Sequence, residues 1–99
     1  MDLKECRERI DAIDDQLAAL FKERMEVAAK VAEYKKTNGL PITDPAREKQ
    51  ILDAREKQIL ESHETPDAVD AAVLVPYVRR FFKHIMKLSR EYQNTFTDV

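Results

Sequence analysis

From Leu3 onward, apolar residues recur at positions 3, 6, 10, 13, 17 and 20, then at 27, 28 and 31, and no glycine or proline interrupts the chain before Gly39. Steps of three and four are the period of an α-helix. Asp2 stands where an N-cap belongs, with Glu5 three residues on. Asn38-Gly39 followed by Pro41 is a stop signal. A helix over this whole stretch, about 36 residues, would be roughly 54 Å long. A compact domain of about 100 residues has a radius of gyration of only about 13 Å. The first helix must therefore reach beyond its own globule. Its stripe continues into the overhang, so the overhang needs cover. A homodimer with the long helices paired is the economical source, and a larger parent protein is the other.

The remaining chain reads as two more helices. The second opens at "DPARE", with Asp44 as N-cap and Pro45 at the first helical position, and runs to about Glu61. The polar stretch "SHETPDAVD" follows, where Thr65-Pro66 can start a short turn. The third helix is expected from about Pro76, because proline deep inside a helix is disfavoured. It should continue to about Gln93, leaving "NTFTDV" as a frayed tail. The class is all-α, one domain over residues 1–99. A chain that is 43% hydrophobic and 36% charged is too apolar for disorder. A net charge of −2 points to neither nucleic acid nor a membrane surface, so any anion site must be a local cluster of cations. The single Cys6 excludes an internal disulfide and reads as a core residue. With no apolar run long enough for a membrane span and no signal-peptide pattern, the cytoplasm is the expected compartment.

The second helix says the same seven letters twice: "AREKQILDAREKQIL", residues 46–60. An eight-residue shift turns a helix by about 80°. Arg47 and Arg55 are thus expected not to serve one site from one straight helix, and at most one copy faces any given pocket. The first copy lies beside the capped loop at Asp44 and carries the functional expectation. The second copy, Arg55 and Glu56, reads as an exposed charge lattice.

A helix that only packs should keep its stripe clean, and two of these do not. Arg24, Ala28, Val31 and Lys35 share one face of the first helix. Either cation alone can be read as a stem laid on the core with its head in water. Two of them, three turns apart on a face of small and apolar residues, look like an anion site. On the third helix Phe82, Ile85, Met86, Ser89 and Gln93 form one stripe, with Arg80, His84, Lys87 and Glu91 opposite and solvated. Ser89 and Gln93 are polar groups on the packing side, where polar groups need partners. Arg7 is about 26 Å along the helix from Arg24 and about 100° around it. It cannot reach Arg24's pocket from the same chain, but it can reach that of a paired chain.

These residues carry a resemblance. "CRERIDAIDDQLAALFKERMEVAAKVAEYK", "PITDPAREKQIL" and "FFKHIMKLSREYQ" make the chain similar to the all-helical class of chorismate mutases over essentially its whole length. The family pattern has an early Arg in helix one, an Arg and a Lys eleven apart later in it, Asp-x-x-Arg-Glu opening helix two, and Ser-x-x-x-Gln late in helix three. Arg7, Arg24, Lys35, Asp44, Arg47, Glu48, Ser89 and Gln93 stand at the matching places. The connection between helices two and three looks about two helical turns longer than in compact relatives. The resemblance implies three helices per chain in an intertwined helical homodimer, converting chorismate to prephenate without metal or cofactor. That [3,3] rearrangement needs a folded substrate conformer and electrostatic help as the ether bond breaks, not a nucleophile. His63 and His84 are isolated, with no ligand cluster around them. The resemblance assigns the substrate carboxylates to Arg24 and to Arg7 of the other subunit, with Ser89 at the ring carboxylate. It assigns the ether oxygen to Lys35 and Gln93, the ring hydroxyl to Glu48, and the order of that end of the pocket to Arg47 and Asp44.

An isochorismate pyruvate-lyase uses the same scaffold, and Glu48 favours the mutase over it. A non-catalytic dimerisation module would explain the stripe, but not Arg24, Lys35, Ser89 and Gln93 on packing faces.

Overall fold

The computed structural model describes residues 1–62 and 70–96. Three helices make up the chain: α1 (Leu3–Thr37), α2 (Pro45–Leu60) and α3 (Ala71–Asn94). The Asp2 carboxylate caps α1 by accepting from the Glu5 N–H at 2.8 Å. The far end closes on Gly39, whose φ of 66° is the left-handed conformation that glycine adopts without strain. The Leu40 N–H donates to the Lys35 carbonyl at 2.8 Å and the Gly39 N–H to that of Lys36 at 3.4 Å. Two carbonyls that the helix would leave orphaned are thereby satisfied. The Asp44 carboxylate accepts from the Arg47 N–H at 3.1 Å, with Pro45 at the first position of α2. These caps fix a tight turn between α1 and α2, and that turn brings Lys35 opposite the start of α2.

The third helix does not begin at Pro76 as expected. α3 begins five residues earlier, at Ala71, capped by Asp70, whose carboxylate accepts from the Ala72 N–H at 2.9 Å. Pro76 lies inside the helix. It costs one N–H, while the added turn half-buries Leu74 and Val75. The Thr65-Pro66 turn lies outside the described residues. At the other end Thr95 and Phe96 form a turn, with the Tyr92 and Phe96 rings edge-to-face at 5.0 Å, and the rest of the tail expected to fray lies outside the described residues.

α3 packs against both other helices. Among the described residues only Ala28, Ala32, Met86, Ser89 and Gln93 are buried, and two of these five are polar. The two alanines, one turn apart on α1, leave room for α3 to approach closely. The lower half of α1 touches nothing comparable. Leu3, Ile10, Leu17 and Leu20 stay between 46% and 63% exposed, and Cys6, read above as core, is only half-buried. Covering those four large side chains would contribute on the order of 10 kcal/mol. The chain measures 51 × 26 × 16 Å with a radius of gyration of 16.8 Å, well above the compact value, as the length argument requires. No helix among the described residues is long and apolar enough to cross a membrane.

Candidate active site

The polar residues that interrupt the stripes converge. A cavity of about 290 Å³ lies between the upper half of α1, the start of α2 and the end of α3. Arg24, Lys35, Asp44, Arg47, Glu48, Ser89 and Gln93 all line it, against walls formed by Val27, Val31, Ile51 and Met86. Arg7 does not; it sits exposed on the uncovered half of α1.

Each position follows from a local device. Lys35, in the last turn of α1, donates from Nζ to the Ile42 carbonyl at 2.8 Å, which ties its ammonium to the turn. Arg47 and Glu48 project from the first turn of α2 behind the Asp44 cap. Glu48 accepts from Arg90 of α3 in a half-buried ion pair. Arg90 itself lines the cavity. It was not anticipated, although it lies four residues after Met86 and so on the packing stripe of α3. Gln93 Nε2 donates to Ser89 Oγ at 3.0 Å, a buried bond one helical turn long. That leaves a second amide hydrogen free for a ligand, while Gln93 Oε1 is buried without a partner.

Charge in the cavity is lopsided. Four cations (Arg24, Lys35, Arg47 and Arg90) face two carboxylates, Asp44 and Glu48. Burial, and then the neighbouring Arg47, hold the Arg24 guanidinium below its usual value. It is still a permanent cation at neutral pH, because arginine starts so high. A pocket with an excess of two positive charges, in a chain of net charge −2, suits a small dianion held by guanidinium forks.

The sequence pattern of the chorismate mutase type II family matches residues 6–94. The chain belongs to this family. It is 49% identical over 51 residues to a chorismate mutase of Methanocaldococcus jannaschii, a match covering 52% of each chain. It is 36% identical over 81 residues to the T-protein of Haemophilus influenzae, covering 82% of this chain and 20% of that one. A bifunctional chorismate mutase/prephenate dehydratase of Aquifex aeolicus is 40% identical over 52 residues, 52% of this chain and 14% of the relative. The chain thus spans about half the length of the first of these relatives and a fifth or less of the other two.

For this family member the repeat resolves differently from the sequence expectation. The exposed lattice belongs to the lysines: Lys49 pairs with Asp53 at 2.9 Å and Lys57 with Glu61 at 3.8 Å, both on the solvent side. The glutamates of both copies turn to α3. Glu48 meets Arg90, and Glu56 meets Arg79 at 2.8 Å. The arginines also share a surroundings. Arg47 and Arg55 line one small cavity together with Arg24, because side chains of that length close the 80° between their stems. Arg55 is half-buried, not solvated. On α3, Arg80, His84, Lys87 and Glu91 are exposed as expected, and His63 lies outside the described residues.

Proposed function

We propose that this chain is a chorismate mutase, rearranging chorismate to prephenate in a site completed by a second copy of itself. The observation that carries the reading is the excess of two positive charges in one cavity lined by seven of the eight family-pattern residues. Chorismate carries two carboxylates, and the named relatives include a chorismate mutase. Arg24 holds one carboxylate, with Ser89 beside it. Arg7 of the second copy holds the other, which accounts for a guanidinium stranded on a helix half whose apolar stripe is uncovered. The same pairing covers Leu3, Ile10, Leu17 and Leu20.

The chemistry is intramolecular, so the protein's work is to select the folded conformer and stabilise charge. As the ether C–O bond lengthens, negative charge grows on its oxygen. Lys35 and the second amide hydrogen of Gln93 donate there. Donors set before the reaction need no reorganisation, and removing one such donor typically costs a factor of about 10²–10³. Glu48 accepts from the ring hydroxyl through the oxygen that Arg90 leaves free. Asp44 and Arg47 hold the start of α2 in place. The cytoplasm remains the compartment that the cysteine usage favours.

Chorismate absorbance with the purified protein, read beside a pyruvate assay, tests the reading. Loss of chorismate without pyruvate is the expected result. Release of pyruvate would instead indicate lyase chemistry on the same scaffold. Absence of any loss would leave a dimerisation module.

A further inference from the structure

The second arginine of the repeat is unaccounted for by this mechanism. A cavity of about 230 Å³ is lined by Arg24, Arg47 and Arg55 with Ile51, Ala54 and Phe82. It shares Arg24, Arg47 and Ile51 with the large cavity, so the two adjoin along that wall. Arg79 and Arg90, the other half-buried arginines in the interface between α2 and α3, each meet a glutamate. Among the described residues no carboxylate forms an ion pair with Arg24, Arg47 or Arg55. Arg55 Nε is in addition fully buried with no hydrogen-bond acceptor. A buried charged donor without an acceptor is costly, and so is a set of like charges around one small space. An anion between the guanidinium forks relieves the crowding of like charge, with exposed Arg47 on the open side and half-buried Arg24 and Arg55 behind it.

We propose that Arg24, Arg47 and Arg55 form a carboxylate subsite and that Arg55 binds one carboxylate of the substrate directly, as a third guanidinium beyond those the family pattern supplies. The proposal rests on the dicarboxylate reading above. The large cavity alone offers Arg24 and Arg47 at the shared wall. A carboxylate placed against that wall lies between them and within reach of the Arg55 fork from the other side. Arg55 thus sets affinity for a substrate with a carboxylate at this end, while the ether-oxygen donors Lys35 and Gln93, which line the large cavity but not the small one, set the rate. The carboxylate chemistry has one other source, an aspartate from α1 of a second copy, since Asp11, Asp14 and Asp15 are all exposed.

The test compares the parent protein with Arg55→Met, Arg55→Lys and Gln58→Ala, the last altering a neighbour of Arg55 that lines only the apolar cleft beside it. Three quantities are read: KM and kcat for chorismate, the rise of the thermal midpoint with malonate at matched ionic strength, and subunit mass by sedimentation. Arg55→Met should raise KM ten-fold or more with kcat within about three-fold, and should lose most of the malonate response. Arg55→Lys, which keeps charge but not the fork, should fall between, and Gln58→Ala should match the parent. Unchanged KM and malonate response in Arg55→Met overturn the subsite. Normal KM with a weakened dimer overturns the substrate assignment, because the carboxylate then comes from the second copy. If Arg55→Met does not fold, Arg55→Lys decides: a several-fold rise in KM supports the proposal and an unchanged KM overturns it. If the parent protein leaves chorismate untouched, the proposed activity fails by itself, and the malonate comparison still decides the subsite.

Discussion

Gln93 is buried, bonded to Ser89, and has one amide hydrogen to spare, so its assigned task is a donor's. An amide donates at any ordinary pH. A glutamate in its place donates only while protonated, near about pH 4.3 for a free side chain and higher when buried. Ionised, it would repel the charge growing on the ether oxygen. Gln93→Glu should therefore be poor at pH 8 and recover as pH falls, while Gln93→Ala stays poor throughout; pH–rate profiles with circular dichroism at each pH check this. A Gln93→Glu that tracks the parent at pH 8 would move the donor role elsewhere. The repeat gives a second contrast. Arg47→Ala and Glu48→Ala should each lower activity ten-fold or more, about 1.4 kcal/mol. Glu56→Ala should leave turnover nearly unchanged and lower stability by about 0.5–1 kcal/mol, since Arg79 loses its nearer carboxylate and keeps Asp53 at 3.8 Å. Steady-state kinetics and urea denaturation separate the two effects. Arg24, Lys35, Ser89 and Gln93 were legible in the sequence because each broke a local packing rule, a cation on an apolar stripe or a polar side chain on a buried face; Asp44, Arg47 and Glu48 were legible because a capped helix start placed them together. Arg90 and Arg55 were not. Their meaning depends on which neighbour faces them, and helical angle measures stems and not the reach of a guanidinium.

At the scale of elements the caps did most of the positioning. Asp2, Gly39 and Asp44 occupy the places their residue types favour, so α1 and α2 ended and began within a residue or so of expectation. The third helix starts ahead of Pro76, because packing of its first turn outweighs the helix propensity of proline. Pro76 forfeits one hydrogen bond to the Ala72 carbonyl. In exchange, the turn it sits in sets Leu74 in an apolar cleft with Gln58 and Ile59 of α2 and half-buries Val75. Since Pro76 itself is exposed, replacing it removes no buried surface. Proline in a helix interior costs about 3 kcal/mol, and its stiffening of the unfolded chain returns about 0.4–1 kcal/mol. Pro76→Ala should therefore stabilise the protein by about 2 kcal/mol, read as a higher urea midpoint at unchanged slope. A lower midpoint would mean that the ring makes a contact worth more than the missing bond.

At the scale of the whole molecule, a single chain is visibly incomplete. Its buried residues cluster at the cavity, and half of its longest helix presents apolar side chains to water. Helix length against domain size announced that incompleteness from the sequence. What covers the stripe was not legible there, because self-pairing and fusion to a larger protein satisfy the same pattern. We propose that a second copy covers it and, in doing so, brings Arg7 into a site built around Arg24 of its neighbour. The most direct measurement mixes an Arg7→Ala chain with an Arg24→Ala chain, each nearly inactive alone, and follows chorismate loss after subunit exchange. The heterodimer would hold one site lacking both arginines and one site lacking neither. Activity should return to about half that of the parent per heterodimer. Mixed dimers that form, by mass, and remain as inactive as either chain alone would contradict the shared site.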